Sequence, residues 1–139
     1  MSIFEETKKI ILNIQLSTEK EILELIKEHK KTNIKSNIGK IIDTCISKLK
    51  NDNYLKDYET LNNYLSSSKE EIMSNKKIGI RLSISNIENI DNLVIEAKNQ
   101  GIKLNRTKLI LNILFSLKEK KVFSNSTNLK EFLENRKLF

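Results

Sequence analysis

The chain has 139 residues, 38% of them hydrophobic and 6% aromatic, with no Trp and no Pro. That is enough for one compact domain or two interlocked halves, and the aliphatic bias suits a small helical core better than a ligand-binding cleft. Lys and Arg number 25 against 18 Asp and Glu, a net charge of +7, and the pI near 9.4 favours polyanionic partners.

The same composition argues against most chemistry. One cysteine, Cys45, excludes an intramolecular disulfide and any thiolate cluster for zinc. His29 is the only imidazole, and three glycines make no phosphate-cradling loop. General acid–base or triad catalysis has no candidate residues, so no enzyme, cofactor or metal is expected. No apolar run approaches the ~20 residues of a membrane span. The N-terminus lacks signal-peptide architecture, so a cytoplasmic protein is expected.

In chain order, Ile10, Leu12, Ile14 and Leu16 alternate with Lys9, Ile11, Asn13 and Gln15, which predicts a half-buried strand. Ser17-Thr18-Glu19 offers N-cap chemistry, and Thr18 with Glu21 has capping-box spacing. Ile22, Leu25 and Ile26 then mark a helix ending near Asn33. Ser36-Asn37 opens a second helix faced by Ile38, Ile41, Ile42, Cys45, Ile46 and Leu49. Tyr58, Leu61, Tyr64 and Leu65 indicate a third.

The pattern then restarts. Ile78, Ile80, Leu82 and Ile84 alternate with Lys77, Gly79, Arg81 and Ser83. After Ser85-Asn86, Ile87, Ile90, Leu93, Val94 and Ala97 take helical spacing up to Gly101. Asn105 opens a helix carrying Leu109, Ile110, Ile113, Leu114 and Leu117. Leu129, Phe132 and Leu133 predict a last helix over residues 127–137. Gly101 and Asn33, the expected helix ends, are the residue types that best tolerate a left-handed C-cap.

The second series is the first displaced by 68 residues without a gap, so that residues 4–71 lie over 72–139. Lys8/Lys76, Lys9/Lys77, Ile10/Ile78, Ile22/Ile90, Leu25/Leu93, Ile34/Ile102, Asn37/Asn105, Lys40/Lys108 and Leu49/Leu117 are identical pairs. More telling than identity, the apolar pattern changes period at the same places. Two structural equivalents in one chain are expected, with the pseudo-two-fold symmetry that usually needs a homodimer.

Strand, helix, short turn and helix, with the last opening on Asn105-Arg106-Thr107-Lys108-Leu109-Ile110 and the strand ending in Arg81-Leu82-Ser83, resembles the ribbon-helix-helix (MetJ/Arc) family. The resemblance covers residues 8–49 and 76–117, leaving the third helices aside. It implies a mainly α fold with a two-stranded antiparallel β-ribbon, built as β-α-α-α twice from residues 4–71 and 72–139, the two units interlocking as one intramolecular pseudo-dimer. The tandem form is similar to TraY-type relaxosome accessory proteins of conjugative plasmids. Joining both units in one chain raises the effective concentration of ribbon pairing. Sequence-specific binding of double-stranded DNA is implied, in transcriptional repression or in plasmid transfer or partition.

A two-stranded ribbon fits the major groove, and period two selects the side chains that reach it. With the apolar set inward, Ile11, Asn13 and Gln15 face out from one strand and Gly79, Arg81 and Ser83 from the other. Asn and Gln suit adenine, Arg suits guanine, and Ile11 suits a thymine methyl. Because the two strands differ, an asymmetric DNA site is expected. Lys9 and Lys77 at the ribbon ends are expected to hold phosphates. So are Lys35, Ser36 and Asn37, and Lys103, Asn105, Arg106 and Thr107, at the N-termini of the second helices. The alternative is an antitoxin-like or adaptor protein whose C-terminal helix, with Leu129, Phe132, Leu133, Leu138 and Phe139, docks a protein partner. Self-association on DNA is left open by the sequence.

Overall fold

The computed structural model describes residues 6–30, 37–65 and 75–134. Lys35 and Ser36, the expected helix end at Asn33, and Leu138 and Phe139 lie outside them. The described elements are β1 (Thr7–Gln15), α1 (Leu16–Lys30), α2 (Ile38–Asn51), α3 (Tyr58–Leu65), β2 (Asn75–Ser83), α4 (Ile84–Asn99), α5 (Arg106–Glu119) and α6 (Ser126–Glu134). The protein is mainly helical, with one two-stranded antiparallel sheet.

Alternation builds the sheet. Ile10, Leu12, Ile14, Ile80 and Leu82 are buried on its inner face, while Lys9, Ile11, Lys77, Gly79 and Arg81 are exposed on the other. The register places Ile11 opposite Gly79, Lys9 opposite Arg81, and Asn13 opposite Lys77. Helices cover the inner face crosswise: α5 packs on β1 and α2 on β2. Ile22, Leu25, Ile42, Cys45, Ile46, Leu49, Ile90, Leu93, Ile113, Leu114 and Leu117 close the core around them. Each such aliphatic side chain contributes about 1.5–3 kcal/mol by leaving water. Burial pushes the Cys45 thiol up to about 12, so it stays a neutral core group at physiological pH.

The first helices start earlier than the Ser17-Thr18-Glu19 signal predicts. Both strands run straight into them, and the helical N–H of Ile84 is satisfied by Glu6 O at 2.9 Å, an extension of the ladder. Ser83, at the N-cap of α4, makes no side-chain cap bond, and Thr18 is buried within α1 instead of capping it. The second helices begin as expected: Asn37 and Asn105 accept from the N–H groups of Lys40 and Lys108, each at 2.8 Å.

Helix α4 ends at the predicted glycine. Gly101 has φ +81, its N–H reaches Lys98 O, and the N–H of Ile102 reaches Ala97 O, both at 2.9 Å. This is a Schellman motif. Asn53 (φ 66) after α2 and Lys121 (φ 63) after α5 close their helices in the same left-handed way.

The third helices are core elements. Helix α3 packs on α4 and α5, and α6 packs on α1 and α2. Leu55, Leu61, Val122, Phe123 and Leu129 are buried there. The N–H of Tyr58 donates to Glu96 Oε1 at 2.9 Å, while the N–H and hydroxyl of Ser126 donate to Glu28. Helix α6 starts one residue before the expected 127 because Asn125 caps it by accepting from Asn128 N. Phe132 and Leu133, offered above to a protein partner, pack against the core.

Candidate nucleic-acid interface

The outer face of the ribbon carries a short row of side chains centred on Ile11, 64% exposed, beside Gly79. At one end lie Lys9 and Arg81, directly opposite each other; at the other lie Asn13 and Lys77. The Arg81 guanidinium is held in place. Its Nε donates to Thr7 Oγ1 at 3.0 Å and its Nη2 to Thr7 O at 3.1 Å. Lys9 crosses the ribbon over Gly79, where an added Cβ would lie 2.9 Å from Lys9 Cε.

Two residues expected in this row are not on it. Gln15 and Ser83 are each 1% exposed. Strand alternation points them outward, but both occupy the last strand position, where the chain turns into a helix. The turn carries them under the neighbouring elements. The N–H and Oγ of Ser83 donate to Asp43 Oδ1 at 2.9 and 3.0 Å. Gln15 Nε2 and Oε1 have no hydrogen-bond partner among the described residues. Of the expected row, Ile11, Asn13, Gly79 and Arg81, with Lys9 and Lys77, remain on the outer face.

Of the expected phosphate contacts, those on α5 sit beside the ribbon. A cavity of about 550 Å³ lies between β1 and the first turn of α5, lined by Ile11, Asn13, Lys77, Asn105, Thr107 and Lys108 among others. It joins strand and helix candidates in one concave surface. Asn105 and Lys108 also line a second groove of about 600 Å³, with Lys98 and Lys103 at the α4–α5 turn. At the first turn of α2, Gly39 stands where α5 has Thr107. An added Cβ there would lie 3.1 Å from Arg81 O and 3.2 Å from Ile80 Cβ, so glycine lets α2 press onto β2.

Arg106 is engaged within the fold. Its Nε and Nη2 donate to Asp91 Oδ1 and Oδ2 at 2.8 and 2.6 Å, and this bidentate bond raises the guanidinium pKa further. A phosphate at Arg106 would compete with Asp91, a partner 15 residues upstream that strand and helix periods do not reveal. Sequence reasoning also missed Thr7, Asn75, Lys98 and Lys108 at this surface. Thr7 could have been found from the alternation, which puts it on the outward face with Lys9.

Among the described residues no helix is long and apolar enough to cross a membrane. No protein-family model, curated protein or solved structure matches the chain.

Proposed function

We propose that the chain consists of two fused ribbon-helix-helix units forming an intramolecular pseudo-dimer, and that it binds a specific double-stranded DNA site by placing the β1–β2 ribbon in the major groove. The observation that carries this reading is the register. Residues 11 and 79, opposite each other, are also equivalent under the 68-residue offset of the sequence. The ribbon centre is thus a point of local two-fold symmetry, and Lys9–Arg81 maps onto Lys77–Asn13. Pairing of a strand with its own equivalent is what two identical ribbon-helix-helix subunits would do.

The chemistry fits the same reading. A two-stranded ribbon matches the major groove in width, and its outer row carries base-reading types flanked by cations. The α5 N-terminus, with Asn105, Thr107, Lys103 and Lys108 around it, offers a dipole end and positive charge to the backbone. In this role the protein is a cytoplasmic transcriptional repressor or an accessory factor of plasmid transfer or partition: each task occupies a site and presents the remaining surface to a partner. The packing of Leu129, Phe132 and Leu133 on the protein's own core gives the adaptor reading less support.

Selection of binding sites from random duplex DNA at near-physiological salt tests the proposal. An enriched motif is expected, and Arg81→Ala should weaken binding to it by about 1–3 kcal/mol and relax one base position. Absence of enrichment, with affinity set by salt alone, would overturn sequence-specific binding.

A further inference from the structure

Resting on the DNA-binding reading above, we infer that the two ends of the ribbon read different bases, and that Thr7 is the positioning residue that presets Arg81 for guanine. Guanine offers O6 and N7 as a pair of major-groove acceptors, and a bidentate arginine is their commonest partner. An exposed arginine normally loses side-chain entropy when it is fixed in that pose. Here Thr7 fixes it beforehand through its Oγ1 and carbonyl oxygen. Those bonds use Nε–H and one Nη2–H, leaving the Nη1 edge and the second Nη2–H, a forked donor pair, for an acceptor pair.

The opposing Lys9 would crowd this group with like charge. Gly79 removes the conflict by leaving room for the lysine stem to lie across the ribbon centre. Four residues thus act together at one end: Thr7 holds Arg81, and Gly79 accommodates Lys9.

At the other end the equivalent positions, 68 residues away, are Asn75 for Thr7, Lys77 for Lys9, Ile11 for Gly79 and Asn13 for Arg81. Asn13, half-buried at the cavity edge, carries the amide that pairs with adenine N6 and N7. Ile11 offers an exposed apolar surface to a thymine methyl at the centre. From Lys9 to Asn13 the strand advances about 13 Å at ~3.3 Å per residue, or roughly four base pairs. The ribbon therefore selects a short asymmetric core with guanine at the Arg81 end and adenine at the Asn13 end.

The test is site selection with the full chain as wild type, Thr7→Val and Thr7→Ser, in parallel with thermal melting of each. Valine keeps the strand-favouring shape and removes the hydroxyl; serine keeps it. Wild type is expected to enrich guanine at one end and adenine at the other. Thr7→Val should lower the guanine preference on the order of tenfold without changing the adenine end, and Thr7→Ser should restore it. A symmetric motif, or guanine preference untouched in Thr7→Val, would overturn this inference while leaving the DNA-binding reading standing. No motif from the wild type would overturn that reading, and the inference with it.

Discussion

At both strand-to-helix junctions the strand passes directly into the helix, and the two differ in what fills them. Where β2 turns into α4, Asp43 of α2 gathers the buried groups: Oδ1 accepts from the N–H and Oγ of Ser83 and from Asn86 Nδ2 at 2.8 Å. Asn86 also reaches Ser47 Oγ at 2.9 Å. Where β1 turns into α1, Gln15 and Thr18 hold the positions equivalent to Ser83 and Asn86, and Leu111 and Phe115 those of Asp43 and Ser47. Gln15 Nε2 and Oε1, Ser17 Oγ and Thr18 Oγ1 are buried without partners among the described residues. One junction is a satisfied polar network; the other keeps polar side chains without the acid that would organise them. The fold thus tolerates either filling, and the network at the β2 end should add stability and local rigidity where Arg81 is carried.

The largest way to break this difference is Asp43→Ala. It leaves Ser83 and Asn86, each 1% exposed, with buried donors that have lost a charged acceptor. The expected loss is about 2–3 kcal/mol of unfolding free energy, read from urea denaturation. An effect under about 0.5 kcal/mol, the range of ordinary surface substitutions, would mean that the network does not hold this junction.

The opposite sign is expected across the ribbon. Gln15→Met keeps the length of the side chain and removes a buried amide that has no partner among the described residues, so stability should rise by about 1–2 kcal/mol. Denaturation of this variant beside Asp43→Ala measures both junctions on one scale. A destabilised Gln15→Met would show that the amide is satisfied in solution, by water or by a neighbour.

How far the sequence reaches into this architecture depends on the range of the interaction. Period-two and helical spacing are local, so the strands at Ile10–Ile14 and Ile78–Leu82 and the helices that follow were legible, as were the Asn37 and Asn105 caps and the Gly101 stop. The outward placement of Lys9, Ile11, Gly79 and Arg81 followed from alternation alone. Alternation fails at Gln15 and Ser83 because it carries no information about where a strand bends into a helix. The Thr7–Arg81 bonds join residues 74 apart, Ser83–Asp43 residues 40 apart, and Arg106–Asp91 residues 15 apart. None of these pairs lies at a local period, so each needed the packed structure.

The third helices, α3 and α6, give the smallest and cleanest contrast. Asp57 caps α3 by accepting from Thr60 N at 2.7 Å, and Asn125 caps α6 by accepting from Asn128 N at 2.8 Å. The bond from the Thr60 backbone holds the Asp57 carboxyl below its usual range, with the Thr60 side chain and the nearby Lys56 adding to it. A depressed folded pKa contributes stability that is fully present above the unfolded value, near 3.9. That contribution is lost as pH falls through the folded value. The amide of Asn125 does not titrate, so only the α3 cap carries this acid sensitivity. Asp57→Asn should leave stability nearly unchanged at neutral pH, because both residue types cap well. It should also flatten the fall in stability on acidification, measured by urea denaturation from neutral pH to below 3. An unchanged acid limb would mean that the Asp57 cap does not govern the acid sensitivity of α3.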